Sequence, residues 1–249
     1  MSGHSKWSTI KHKKAATDAK RSRLWTRLIR EITVAAREGG DAEANPRLRA
    51  ALLTAKGANM PKDTVEKAIK RGAGDLDGAL YEEITYEGYG PGGVAILVET
   101  QTDNKNRTAA EVRHVFTKYG GKLGSTGCVS YLFERKGQIL LDRTRCDVDT
   151  VMEAAVEAGA EDVEEGDESI LVITAMEDLH TVAAALEQAG LPVESTQLVQ
   201  EPATTVKVDE ESVGTLLRLI DALDDSDDVS SVSANFDIDD EVLARYNEE

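Results

Sequence analysis

The spacing of apolar residues changes once along this chain, at Gly78, and that change limits the folds open to it. Before it, three stretches carry apolar residues at helical intervals. The first is expected from about residue 16 to Arg37, ending at Gly39-Gly40, a C-cap signal. The second starts at Asn45-Pro46, where Asn can cap and Pro suits the first turn, with Leu48, Leu52 and Ala55 on one stripe. The third starts near Pro61, buries Val65 and Ile69, and ends at Gly72-Ala73-Gly74. Three short amphipathic helices predict a small bundle.

After Gly78 the pattern becomes that of strands and helices in alternation. YEEITYEGYG and GVAILVETQT read as strands around a PGG turn, and Asn104 to Tyr119 as a helix with Ala110, Val112, Val115 and Phe116 inward. GCVSYLFERKGQILLD is expected to give strand, turn and strand. ILLD, a helix from Val148 to Ala158, a strand near Val163, SILVIT, a helix from Met176 to Ala189 and PVESTQLV then spell βαββαβ, the order of a ferredoxin-like unit. TTVKV, a helix over Ser212–Leu223 and VSSVSANF remain. The earlier ββαβ piece lacks partners, so the economical arrangement pairs it with this last piece. The expected fold is α+β: a three-helix domain followed by two α/β sandwich domains, one ferredoxin-like and inserted in the other. The expected limits are 1–77 for the arm and helices, 78–133 plus 203–249 for the discontinuous domain, and 134–202 for the insert.

Charge is divided as unevenly as pattern. The chain carries −17 overall, yet its first 37 residues hold ten Lys and Arg against Asp18 and Glu31. Residues 1–71 net +10, residues 72–145 net −1, and residues 146–249 net −26. Such asymmetry suggests a nucleic-acid-binding head on an acidic, solubilising body. At about 100° per residue, Lys20, Arg23, Arg27, Arg30 and Arg37 fall opposite Leu24, Leu28 and Ile32. Only Glu31 borders that stripe, so the cations repel one another unless something negative lies along them. Ahead of it, GHSKWSTIKHKK is too basic and too poor in apolar residues to pack alone, and is expected to order on a polyanion. Lys6, Lys11, Lys13 and Lys14 would contact phosphates. Trp7 would either stack on a base or sugar or staple the arm to the bundle.

Other chemistries find little support. Cys128 and Cys146 fit neither CxxC nor a zinc spacing, and His4, His12, His114 and His180 are dispersed, so no metal or cofactor is expected. GxSxG is absent, and GYGPGG and GGKLGSTG match no phosphate-binding loop and are read as turns. In TDNKNRT (102–108), Asp103 and Asn104 would cap the following helix, while Lys105 and Arg107 would extend the basic surface. No run of about 18 apolar residues is present, and the basic N-terminus lacks a secretory core, so a cytoplasmic protein without a membrane partner is expected.

GHSKWSTIKHKKAATDAKR, LIREITVAAREGG, NPRLRAAL, NMPKDTVEKAIKRGAG, YEGYGPGGVAILVE, TDNKNRT and GGKLGSTG closely resemble the YebC/PmpR family, which includes a mitochondrial translational activator of cytochrome oxidase subunit one. Cys128 stands where the family usually has Ser, and Trp25 where Phe is usual. The resemblance implies a three-domain α/β protein that is not an enzyme. It also implies a regulator of gene expression, with nucleic acid, ribosomal RNA or DNA, as partner. Members have been described as ribosome-associated factors that ease translation of difficult, proline-rich stretches, and as DNA-binding transcriptional regulators. The residue pattern inclines to the first, with the second as alternative and a small-ligand sensor as a remoter one. Carried onto this chain, the binding positions are Lys6, Trp7, Lys11, Lys13, Lys14, Lys20, Arg21, Arg27 and Arg30, with Arg23 and Arg37 completing the stripe. Arg47, Arg49 and Lys62 are weaker additions.

Overall fold

The computed structural model describes residues 18–77, 80–166, 168–239 and 242, with the backbone alone for residues 18–21. The head contains α1 (Asp18–Ala35), α2 (Pro46–Gly57) and α3 (Lys62–Gly72). A 3-10 turn over Ala36–Glu38 ends α1 at Gly39, as the glycine pair foretold. Asn45 caps α2 by accepting from the Leu48 N–H at 3.0 Å, and its amide donates to the carbonyls of Ala35 and Gly39. One side chain therefore closes both the end of α1 and the start of α2. Leu28, Ile32, Ala36, Leu48, Ala55 and Ala68 form the buried centre of the bundle. At Gly72 the helices approach so closely that a Cβ would collide with the carbonyl of Thr33.

The next part of the chain forms an antiparallel sheet. β1 (Glu82–Tyr89) pairs with β2 (Ala95–Thr102) across a 3-10 turn at Pro91–Gly93. α4 (Lys105–Lys118) follows, capped by Asn104, and then the two-residue β3 (Lys122–Leu123). The expected strand in GCVSYLF does not form. It is a loop ending in a 3-10 turn at Ser130–Leu132, and one uninterrupted strand, β4 (Phe133–Asp142), takes the place of the expected turn and second strand. Gly137, read as part of that turn, lies within the strand because a side chain there would meet Thr174 and Leu179.

β4, α5 (Val148–Glu157), β5 (Asp162–Glu165), β6 (Ser169–Ala175), α6 (Leu179–Gln188) and β7 (Val193–Pro202) form the inserted unit. Its sheet order is β5-β6-β4-β7 with every pair antiparallel, the ferredoxin-like arrangement. The unit begins and ends at one rung, since Phe133 pairs with Pro202, and the Ala203 N–H donates to the Leu132 carbonyl at 2.8 Å. The chain then returns to the first sheet through β8 (Val206–Lys207), α7 (Glu210–Asp224), β9 (Val229–Ala234) and β10 (Phe236–Asp237). β9 completes the order β3-β1-β2-β9, while β8 and β10 pair in parallel. α7 buries Val213, Leu216, Leu217, Leu219, Ile220 and Leu223 against that sheet, each side chain stabilising by about 1.5–3 kcal/mol.

Candidate nucleic-acid interface

The cationic stripe of α1 faces the protein's own acidic turn. α7 ends in Asp224, and residues 224–228 read DDSDD. Arg23 pairs with Asp225 through Nη1 and Oδ1. Nη1 of Arg27 lies 3.3 Å from Oδ1 of Asp224, and its Nη2 donates to the Asp224 carbonyl. Nη1 of Arg30 lies 3.2 Å from Oδ1 of Asp228 and donates to the Asp227 carbonyl. The guanidinium of Arg30 also lies 5.4 Å from the centre of the Tyr81 ring. Carboxylates at the C-terminus of a helix oppose its dipole, so the turn needs cations, and α1 supplies them. The stripe's mutual repulsion, evident in the sequence, is relieved from within the chain.

Asp228 is the centre of this contact. It is 3% exposed, and its Oδ2 accepts from Arg107 Nη2 at 2.6 Å, Thr108 Oγ1 at 2.7 Å and Thr102 Oγ1 at 3.2 Å. Burial pushes its carboxyl up, and the bonds from Arg107 and Thr108 with the charge of Arg30 more than offset this, leaving it below its ordinary value. TDNKNRT thus does two jobs: Asn104 caps α4, and Arg107 and Thr108 hold Asp228. Lys105 and Arg107 were expected to add to a basic surface; Lys105 instead pairs with Glu82, and Arg107 with Asp103 and Asp228.

The remaining positions divide clearly. Arg47 bridges Glu31 (2.8 Å) and Glu83 (2.5 Å), tying α2 to α1 and to β1, and its hydrogen bond to Glu83 lowers that carboxyl's pKa. Arg49 donates to the carbonyls of Ala42 and Glu43 at 3.1 and 2.6 Å, closing the loop before α2. Arg37 is exposed. Lys62 is exposed on the first turn of α3, 3.8 Å from Glu66. Lys6, Trp7, Lys11, Lys13 and Lys14 lie outside the described residues, and Lys20 and Arg21 are placed by their backbone on the first turn of α1.

The acidic turn is the part of this surface that charge counting along the head missed. Four Asp in five residues at the end of an amphipathic helix was the available signal, and it was absorbed into the general acidity of the C-terminal half. A second missed residue is Glu87 on β1, 4% exposed, which accepts from the N–H groups of Gly127 (2.6 Å), Val129 (2.8 Å) and Ser130 (2.8 Å). Among the described residues no cluster of three or more His, Cys, Asp or Glu could hold a metal, and no helix is long and apolar enough to cross a membrane.

Comparison with known proteins agrees with this architecture. Residues 5–75 match the family model described as the TACO1/YebC protein N-terminal domain, and residues 81–236 match that of the TACO1/YebC second and third domain. A relative from Acidithiobacillus ferrooxidans, named "Probable transcriptional regulatory protein", is 60% identical over 246 residues, covering 98% of each chain. One of the same name from Persephonella marina is 55% identical over 250 residues, covering 99% of this chain and all of its own. The crystal structure of a conserved hypothetical protein from Aquifex aeolicus superposes with a TM-score of 0.87 at 52% identity, covering 94% of this chain and 97% of that one. With both family models matched in chain order, and the helical head and its two α/β partners in place, this chain belongs to the TACO1/YebC family.

Proposed function

We propose that this protein is a non-catalytic, nucleic-acid-binding regulator of gene expression that engages its target through its basic N-terminal end. The observation carrying this reading is the +10 net charge of residues 1–71 on a chain of −17. Arg23, Arg27 and Arg30 are neutralised internally, but Arg37, Lys56, Lys62, Lys67 and Lys70 are exposed on the same head. The arm adds Lys6, Lys11, Lys13 and Lys14. The non-catalytic part is supported by what the lowered carboxylates do: Glu83, Glu87 and Asp228 are engaged in hydrogen bonds that hold the fold, as is Glu201, raised by burial, with Gln138.

The finer reading is a cytoplasmic factor acting on ribosomal RNA, easing translation of difficult stretches. A helix that reads DNA presents polar side chains to the major groove, whereas the cationic side of α1 lies against its own acidic turn. The −26 carried by residues 146–249 would also be repelled by a long duplex. A second reading, a DNA-binding transcriptional regulator, is favoured by the names of the relatives. Sedimentation of lysate through a sucrose gradient at physiological salt, with and without DNase, separates them. Comigration with ribosomal subunits after DNase supports the RNA reading. Recovery only from light fractions, with sequence-dependent promoter binding against excess competitor DNA, supports the transcriptional one.

A further inference from the structure

Between Glu111 and Glu134 this chain has no acidic residue, in a sequence that holds 46 in 249. Those 22 residues include the end of α4, β3 and the loop leading to β4, and carry Arg113, Lys118 and Lys122. Arg113, Lys118 and Lys122 are all exposed. Lys122 is the cross-strand partner of Tyr89, so both side chains stand on one face at one end of the sheet. Lys118, on the last turn of α4, places its Nζ 5.1 Å from the centre of the Tyr119 ring.

The loop beside them is held in a single shape. Glu87 gathers three of its N–H groups from beneath, the Gly124 N–H donates to the Glu87 carbonyl at 2.8 Å, and the Tyr89 hydroxyl donates to the Cys128 carbonyl at 3.1 Å. A buried carboxylate with three donors is a costly device for an ordinary surface turn. Its result is to fix the 3-10 turn at Ser130–Leu132, from which Tyr131 projects with 72% of its surface exposed. Tyr89 is 39% exposed. Tyr89 and Tyr131 are the large apolar side chains left exposed here, with Leu123 and Leu132 half-buried beside them, so the open surface is chiefly aromatic rings, hydroxyls and cations. Rings on a fixed backbone, with Lys122 across from Tyr89 and no acidic residue in the segment itself, suit unpaired bases and their phosphates.

We infer that the 124–131 loop, with Tyr131 and Tyr89 as its stacking surfaces and Lys118 and Lys122 as its phosphate contacts, binds unpaired nucleotides of RNA. A duplex keeps its bases stacked on one another, whereas RNA loops and bulges expose theirs. The fixed loop lowers the ordering cost of binding. This surface lies on other elements than α1, and the inference rests on the reading of the chain as a nucleic-acid-binding protein.

The test uses the full chain with a fluorescein-labelled 10-nucleotide single-stranded RNA and the corresponding duplex, read by anisotropy. Tyr131→Ala is expected to weaken single-strand binding about tenfold, as for loss of one stacked base, and to change duplex binding little. Tyr131→Phe should bind like the parent. Lys118→Gln with Lys122→Gln should lower the log–log salt slope for the single strand by about 1.4, at ~0.7 for each phosphate neutralised. Unchanged affinity and slope in these variants, while the triple change Lys11→Gln, Lys13→Gln, Lys14→Gln weakens binding, would overturn this surface and leave the nucleic-acid reading standing. Equal losses on single strand and duplex would overturn the stacking role. Failure of the full chain to bind either probe would overturn both readings.

Discussion

Arg30 and Arg107, from the head and from the loop before α4, grip opposite oxygens of the same carboxylate, that of Asp228. Asp228 is therefore the most buried of the points at which the helical head is fastened to the α/β body, the Arg47–Glu83 and Arg27–Asp224 pairs being others. Its backbone carbonyl also accepts from the Gln101 N–H at 2.8 Å, so β2 shares the junction.

Asp228→Asn removes the charge from this junction while leaving its shape. It should destabilise the protein by on the order of 3 kcal/mol, because Arg30, with 14% of its side chain exposed, is left facing a neutral amide. Urea unfolding gives the number. A change below ~0.5 kcal/mol would show that the head is fastened elsewhere. The same junction predicts acid sensitivity. Because the folded carboxyl lies below its unfolded value, its contribution is complete above the unfolded pKa and is lost as pH falls through the folded one. The decline of stability at acid pH should be shallower in Asp228→Asn than in the parent.

Asp224→Asn with Asp225→Asn tests the outer half of the contact. Arg23 and Asp225 are exposed and contribute little, while Arg27 and Asp224 are mostly buried, so stability should fall by about 1–2 kcal/mol. Arg23 would then be free for an external anion, and Arg27 would keep only its bond to the Asp224 carbonyl. Affinity for RNA or DNA should rise, and the salt slope should steepen by up to about 0.9 for each phosphate newly engaged on a duplex. Unchanged affinity and slope would mean the stripe serves the fold alone.

The arm gives the opposite signature. Lys11, Lys13 and Lys14 changed together to Gln should leave the melting temperature unaltered and flatten the salt slope on a duplex by up to about 0.9 for each phosphate no longer neutralised. A large drop in melting temperature would place these lysines in the fold.

Glu201, on β7, is pushed up by burial first and then by the charge of Glu164. Its raised folded value means it costs stability once pH rises above the unfolded pKa. Glu201→Gln keeps an acceptor for Gln138, whose amide lies 3.1 Å from the carboxylate. The variant should melt higher than the parent at pH 7 and show no advantage at pH 3. A lower melting temperature at pH 7 would mean that the attraction of Lys136 outweighs the burial.

Most of the fold was legible because its signals are local. Asn45, Asn104 and Asp147 cap helices by bonding to an N–H three residues ahead, and the βαββαβ order survives in the spacing of Ile139, Val151, Val172 and Val182. Gly137 misled because a glycine within a strand looks like a turn until Thr174 and Leu179 are packed over it. The candidate interface was less legible. Nothing local to Arg27 announces a carboxylate 197 positions away, and an acidic turn in a half already rich in acids does not stand out. The role of Glu87 was hidden likewise, since its three donors lie 40 to 43 residues on.

The Phe133–Pro202 rung has a consequence for the ancestry and the engineering of this protein. A ferredoxin-like unit that enters and leaves at one rung is a side branch: the sheet of β3, β1, β2 and β9 closes without any strand from it. Joining Leu132 to Ala203, already hydrogen-bonded to each other, would prune the branch at a natural node. The same node is where a different cassette could be grafted at the cost of the Gln200–Glu99 hydrogen bond to the trunk.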